Sequence, residues 1–274
     1  MTRYEIRAMS LGEILDAGLW LLRDHGRVLV GAAAVLHVPM ALLLTAWPQR
    51  SAGAPWLIAA PPMVVMLLVV VPLVRAAVTW AVGELHLGRP VSVAGALRAA
   101  WLLLLPLSGT TLLLYLAFAI VGGIVGLMAM VMGILFASQA GAIAVPLVTV
   151  PAFIYLGVIF ALLAPVMVLE RTFGLRALRR SRDLLRGSWG RALGAYLAGS
   201  VLVNVLSGVV EMALGRVPVL GPIGIGLARA AGVAYTSAVL VLLYFDIRCR
   251  KEAFDLEHLA QLVAREPPAV PALA

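Results

Sequence analysis

Charge is scarce in this 274-residue chain. Asp, Glu, Lys and Arg make up 12% of it, about half of the roughly 25% usual in a soluble domain. Hydrophobic residues reach 63% and the mean hydropathy is +1.04. A soluble chain this apolar would carry more greasy surface than it could bury, so lipid is its solvent. Cysteine is nearly missing too: Cys249 is alone, which excludes an intrachain disulfide. Lysine is represented only by Lys251, the other basic residues being arginine. The four histidines, His25, His37, His86 and His258, are scattered without metal-ligand spacing, and no GxxxxGK[ST] loop occurs. Gly224 and Gly226 lie inside an apolar run, not at a strand-to-helix turn, so a dinucleotide site fails. No catalytic centre, cofactor or metal is expected, and the chain is read as a non-enzyme. Met1–Ser10 is polar and lacks the apolar core of a removable signal peptide.

What is present is a series of long apolar runs. A helix needs about 20 apolar residues to cross about 30 Å of hydrocarbon. Six runs qualify: Val28–Trp47, Trp56–Val82, Leu103–Leu135, Ile143–Leu169, Ala192–Ala213 and Ile223–Phe245. They are continuously apolar rather than alternating, which excludes barrel strands. The fold class expected is therefore all-α: a polytopic membrane protein with six transmembrane helices plus cytoplasmic interfacial amphipathic helices. The net charge of +8 does not point to nucleic acid. Its arginines gather at the N-terminal side, before the third run, between the fourth and fifth, and after the sixth, with only Arg50 and Arg216 on the other side. The positive-inside rule then puts both termini in the cytoplasm.

The chain also resembles itself. Leu11–His25 aligns with Gly174–Ser188, and more weakly with Ser92–Leu105, through Leu15, Leu97 and Leu178, spaced 82 and 81 residues apart. One transmembrane domain over 1–265 is expected, in three pseudo-repeats of about 10–91, 92–171 and 172–250, with a disordered tail at 266–274. Each unit would be an interfacial helix followed by a membrane hairpin. In the first helix Leu11, Ile14, Leu15, Gly18, Leu21 and Leu22 share one face, and Ser10 with Glu13 has capping-box spacing. In the third, Leu175, Leu178, Ser181 and Leu185 oppose an arginine-rich face, as in helices that lie in the headgroup plane. The middle copy has almost lost its polar face. A short helix is expected over Glu252–Val263.

Three stretches carry a family resemblance: SLGEILDAGLWLLRDHGRVLVGAA from Ser10, VLERTFGLRALRRSRDLLRGSWGRALG from Val168, and LLYFDIRCRKEAFDLEHLA from Leu242. They resemble the glycerophosphoryl diester phosphodiesterase membrane domain of bacteria. Related six-span families share the pattern formed here by Ala177, Leu178, Ser181 and Leu184. The resemblance implies a membrane fold without an activity, since in the enzymes that give the family its name catalysis belongs to a separate soluble barrel.

Three groups of residues are candidates for function. Arg176, Arg179, Arg180, Arg182 and Arg186 form the cationic face of the third amphipathic helix, suited to anionic headgroups at about 1 kcal/mol per cation; plain membrane anchoring is the simpler use. His37, Arg75, Asn204, Glu211 and Arg229 are polar residues inside spans, where a central charge costs about 2.5–3.5 kcal/mol. For His37 the alternatives are a proton relay and a packing hydrogen bond beside Pro39. For Arg75 they are anion binding and snorkelling or pairing with an acid. Glu211 and Arg229 are placed to pair with each other. Glu84, Glu170 and Asp246 recur at the cytoplasmic ends of the second spans, at the level of Arg27 and Arg191, and ion pairs between repeats are expected among them.

The function expected from these features is a non-catalytic membrane scaffold or lipid-associated accessory module. Its partners would be anionic lipid headgroups and other membrane proteins, with no nucleic acid. The alternative is a small-molecule or lipid transporter with a cavity between the repeats. Broken helices and buried charge at mid-membrane would favour the second reading; here the charges cluster towards the interfaces, which counts against it.

Overall fold

The computed structural model describes residues 8–47, 56–136 and 140–253. Arg3, Arg7, Arg50, Arg265, most of the helix expected after Glu252 and the tail at 266–274 lie outside the described residues. Within them the chain is helical, with no strand. The helices are α1 (Leu11–Ala46), α2 (Trp56–Val65), α3 (Val71–His86), α4 (Val93–Trp101), α5 (Leu104–Phe136), α6 (Ala140–Ile159), α7 (Leu163–Leu169), α8 (Leu175–Leu185), α9 (Trp189–Leu214) and α10 (Leu220–Glu252). Six helical stretches among the described residues are long and apolar enough to span a membrane: Leu11–Ala46, Pro61–His86, Leu104–Met128, Thr149–Leu169, Trp189–Leu214 and Leu220–Glu252. The protein is an all-α polytopic membrane protein.

The helix starts follow from local chemistry. Ser10 and Glu13 close a capping box on α1: the Glu13 N–H donates to Ser10 Oγ at 3.2 Å and the Ser10 N–H donates to Glu13 Oε2 at 2.6 Å. The amphipathic beginning of α1 runs on into the first span, bending at His25, whose φ of −121° and ψ of 17° leave helical values. Ser92 caps α4 through the Gly95 N–H. Gly174 opens α8 at φ +66° and ψ −146°, a conformation open to glycine, and its N–H donates to Thr110 Oγ1 of α5 at 2.8 Å.

The arginine-rich helix is set at a different rotation from the one its leucines suggest. Ala177, Ser181, Leu184 and Leu185 are buried, the i, i+4, i+7, i+8 stripe of a helix seated on a core. Leu178 is half-buried, whereas Leu175 is 60% exposed. The expected face through Leu175 is thus corrected by about one residue position, and the turn carries Arg180 inward.

Two spans depart from regular helix beside a proline that removes a backbone donor, one through a π-helical turn and one through a short turn at 160–162. Pro72 has no N–H for the Leu68 carbonyl and its ring crowds it; Met66–Val70 widens into a π-helical turn. Ser108 of α5 donates its hydroxyl to that Leu68 carbonyl. Pro165 likewise follows the interruption between α6 and α7. There the Leu163 N–H bonds Phe160 O rather than Ile159 O, and Ser181 of α8 supplies the missing donor to Ile159 O at 2.9 Å. A side chain from a neighbouring helix thus satisfies the Leu68 and Ile159 carbonyls, as hydrocarbon surroundings require.

α10 is the hub, packed against α1 and α9 over long stretches and also touching α3, α7 and α8. Its backbone also comes close to that of α1. A Cβ on Gly226 would stand 2.9 Å from Val38 Cα and 3.3 Å from the His37 carbonyl oxygen, both backbone atoms that cannot rotate away. Gly226→Ala is expected to cost about 1–3 kcal/mol through overpacking, read as a lowered unfolding temperature in detergent. Gly109→Ala, with no atom within 4 Å of the added carbon, should be neutral or gain up to about 1 kcal/mol of helix propensity.

Candidate functional site

α3, α5, α6, α9 and α10 contact one another in a ring, α3 against α5, α5 against α6, α6 against α9, α9 against α10 and α10 back to α3. They surround a cavity of about 360 Å³. Both helix breaks open onto it, through Val71 and Pro72 on one side and Phe160, Ala161, Leu163 and Pro165 on the other. A second cavity of about 410 Å³ lies between α1, α3, α9 and α10. The two adjoin, because Val71, Arg75, Val203, Asn204 and Val233 line both. Together they form one cleft.

The five polar residues singled out within spans meet there: His37, Arg75, Asn204, Glu211 and Arg229 all line the second cavity. His37 is buried and its Nδ1 lies 3.1 Å from the Ala33 carbonyl, one turn back in its own helix. Asn204 Nδ2 donates to Ser200 O at 2.7 Å, again within its helix. Neither bond crosses between helices. The expected pair of Glu211 and Arg229 does not form: both line the cleft, on α9 and α10, yet neither Glu211 carboxylate oxygen comes within ion-pairing distance of the guanidinium. The expectation that Arg75 pairs with an acid is corrected in the same way, since no described residue supplies its guanidinium with an ion pair or a hydrogen bond.

Other residues of the cleft escaped the sequence reading. Thr79 is 1% exposed, lines the first cavity, and its Oγ1 has no protein partner. That is unusual for a helical threonine: Thr110 and Thr236 both donate back to carbonyls one turn away. Ser207 Oγ, on the wall of the second cavity, is buried and equally unpartnered. Tyr115 and Tyr196 line the first cavity. Tyr196 sits over Gly157, where an added Cβ would stand 3.3 Å from its hydroxyl oxygen. The i, i+4 spacing of Arg75 and Thr79 was a usable signal; the tyrosines are indistinguishable in sequence from interfacial ones.

Depth follows from the 1.5 Å rise per residue. Counting from Glu84, Thr79 lies about 7 Å and Arg75 about 13 Å along the helix axis. From Arg191, Asn204 is about 20 Å and Glu211 about 30 Å away, and Arg229 is about 25 Å from Asp246. The polar lining therefore covers most of a hydrocarbon thickness of about 30 Å.

The helix ends at the Asp246 level carry a separate set of charges. Glu170 accepts from Arg180 Nε at 2.9 Å and from the Tyr244 hydroxyl at 2.8 Å. Arg180 reaches on to Glu252, Nη1 lying 2.6 Å from Oε1. The hydrogen bonds of Glu170, then of Glu252, push the Arg180 guanidinium further above the ordinary arginine range. Asp246, fully buried, accepts from the Met9 N–H at 2.8 Å and from Arg250 Nε at 2.9 Å. Arg191 Nη1 stands 3.2 Å from its second oxygen while Nη2 donates to Met9 O, so this contact is electrostatic rather than a well-aimed hydrogen bond.

These contacts revise the expected pairings. Arg191 and Asp246 belong to the same expected unit, not to different ones. Glu170 meets Arg180, which sequence reading assigned to headgroups, and Glu84 meets the exposed Arg89 at 3.0 Å in its own turn. Arg27 is exposed and pairs with no acid among the described residues. Arg176, Arg179 and Arg182 remain on the exposed side of α8, and Arg186 lies 3.8 Å from Asp183. Lys251 Nζ donates to the carbonyls of Asp183 and Arg186, a cation at the C-terminal end of α8. Among the described residues no three His, Cys, Asp or Glu side chains cluster as metal ligands would.

The family described as "Domain of unknown function (DUF8558)" matches residues 52–249, well over half of the sequence, and the chain belongs to that family. No curated protein and no solved structure matches it.

Proposed function

We propose that this DUF8558 protein is a lipid-handling transporter, in which the polar head of an amphiphile enters the cleft while its tail stays among apolar residues. One observation carries the reading: five intramembrane polar residues from four spans converge on a single cleft beside two proline-distorted spans. A scaffold has no use for such a lining. A charge at mid-membrane, where the depth count puts Arg75, costs about 2.5–3.5 kcal/mol in lipid, and a hydrated or occupied cleft relieves that cost. Irregular backbone at membrane depth is tolerated where it lines a cavity, and half-broken helices are the usual frame of transport sites. The exposed Arg176, Arg179 and Arg182 then hold the arginine-rich helix on an anionic leaflet.

The membrane in this proposal is the bacterial inner membrane, with both termini in the cytoplasm. The pseudo-threefold arrangement belongs to it as well. The likeness to the glycerophosphoryl diester phosphodiesterase membrane domain is one of fold, because its stretches contain Glu170, Arg180, Arg191, Tyr244 and Asp246 but none of Arg75, Asn204, Glu211 or Arg229. The test is leaflet exchange. Vesicles containing the purified protein and a headgroup-labelled fluorescent lipid are treated with a membrane-impermeant quencher. The proposal expects protein-dependent loss of the inner-leaflet signal; the same protected fraction with and without protein defeats it.

A further inference from the structure

We infer that the cleft selects an anionic head group, a phosphate or carboxylate carried on an apolar tail, and that Arg75 is the residue that reads the charge. This rests on the transport reading above and names its substrate class. The first support is charge balance. Among the described residues Arg75 and Arg229 line the cleft with one carboxylate, Glu211, and neither guanidinium has a carboxylate within ion-pairing distance. An anion supplies the counter-charge that the protein does not.

The second support is a surplus of donors beside Arg75. Thr79 follows it by four residues on the same helix face, nearly sealed from the outside, with an unpartnered hydroxyl on the first cavity. Ser207 adds an unpartnered buried hydroxyl on the second. A buried polar group without a partner costs about 1–3 kcal/mol, so the wall is incomplete without an acceptor opposite it. Arg75 lines both cavities, and a head group passing from one to the other must pass it. A guanidinium suits the task because its planar fork grips two oxygens of a phosphate or carboxylate at once. The third support concerns the tail. Leu107, Leu114, Phe118 and Leu240 line the same cavity, an apolar wall that a free inorganic anion would leave unused.

The experiment is lipid retention by the full-length protein. It is purified in mild detergent, equilibrated with an equimolar mixture of phosphatidylglycerol and phosphatidylcholine, and washed in molar salt. That salt shortens the screening length to about 3 Å and strips lipids held only by surface arginines. Retained lipid is then counted by native mass spectrometry. Wild type should keep the anionic lipid over the zwitterionic one about tenfold, equivalent to about 1.4 kcal/mol. Arg75→Gln should bring the ratio close to one while still holding lipid, and Arg75→Lys should restore part of the preference. Equal retention of both lipids by wild type overturns the inference and leaves the transport reading standing. So does an Arg75→Gln protein, monodisperse and helical by circular dichroism, with undiminished preference. Wild type that retains no lipid at all defeats the transport reading itself. A parallel sample with inorganic phosphate in place of lipid separates the sources: displacement of the retained lipid by phosphate alone would show that the tail is not recognised and overturn that half of the inference.

Discussion

Replacing Asp246 with alanine is expected to cost the fold about 3–5 kcal/mol, the usual loss when one member of a buried charge cluster is removed. Asp246 is fully buried near the end of α10 and holds three elements at once. Its Oδ1 accepts from the Met9 N–H and from Arg250 Nε, and its Oδ2 faces Arg191 at the start of α9. The Met9 carbonyl is gripped in return by Arg191 and Arg250. Without the carboxylate two guanidiniums face each other around a peptide that has lost its acceptor. Asp246→Asn keeps an acceptor for Met9 but loses the charge, so it should fall between wild type and Asp246→Ala. Unfolding followed by circular dichroism in detergent gives the order. An Asp246→Ala protein as stable as wild type would mean that solvent already screens the cluster. The exposed pair of Glu84 and Arg89 is the internal contrast: Glu84→Gln should cost at most about 1 kcal/mol, as surface ion pairs do.

Asn204→Trp is expected to close the cleft without unfolding the protein. Asn204 is exposed, its one side-chain bond is to its own helix, and it lines both cavities at their junction. Its loss therefore costs little in packing. The indole is far bulkier and more rigid than the carboxamide it replaces, and it would stand where the cavities of about 360 and 410 Å³ adjoin. Leaflet exchange should fall by at least about tenfold, or about 1.4 kcal/mol, while the unfolding temperature stays near wild type. Val205→Trp, one position on and exposed on the outside of α9, should leave exchange intact.

Much of the fold could be read from the residues, for reasons that also explain what could not. The spans follow from uninterrupted apolar runs, and the start of α1 from Ser10 and Glu13, because both signals are local. The burial of Leu184 instead of Leu175 was not local. Which stripe of α8 turns inward depends on Gly174 being anchored by Thr110 and on the Ile159 carbonyl waiting for Ser181. That same rotation delivers Arg180 to Glu170. Acids at repeated positions suggested ion pairs, and Arg191 does face Asp246, but the sequence did not single out Arg180 for Glu170 or Arg89 for Glu84 among the many interfacial arginines.

The cleft shows the same division. Each of His37, Arg75, Asn204, Glu211 and Arg229 is conspicuous alone as a polar residue in an apolar run. Their meeting depends on how four helices pack, and no single-helix pattern encodes it. Pro72 and Pro165 were visible in the sequence, but that their breaks face the same cavity was not. Thr79 stayed hidden because a threonine in a helix ordinarily satisfies itself.

The central claim is that an amphiphile enters this cleft, and photo-crosslinking tests it most directly. A phospholipid with a photoactivatable group on its head is incorporated into vesicles with the protein, irradiated, and its attachment sites are mapped by peptide mass spectrometry. The account predicts adducts on cleft residues such as Arg75, Tyr115, Tyr196 and Asn204, reduced in the Asn204→Trp protein. Adducts confined to outward-facing positions such as Leu105, Leu112 and Val205, unchanged by Asn204→Trp, would contradict it.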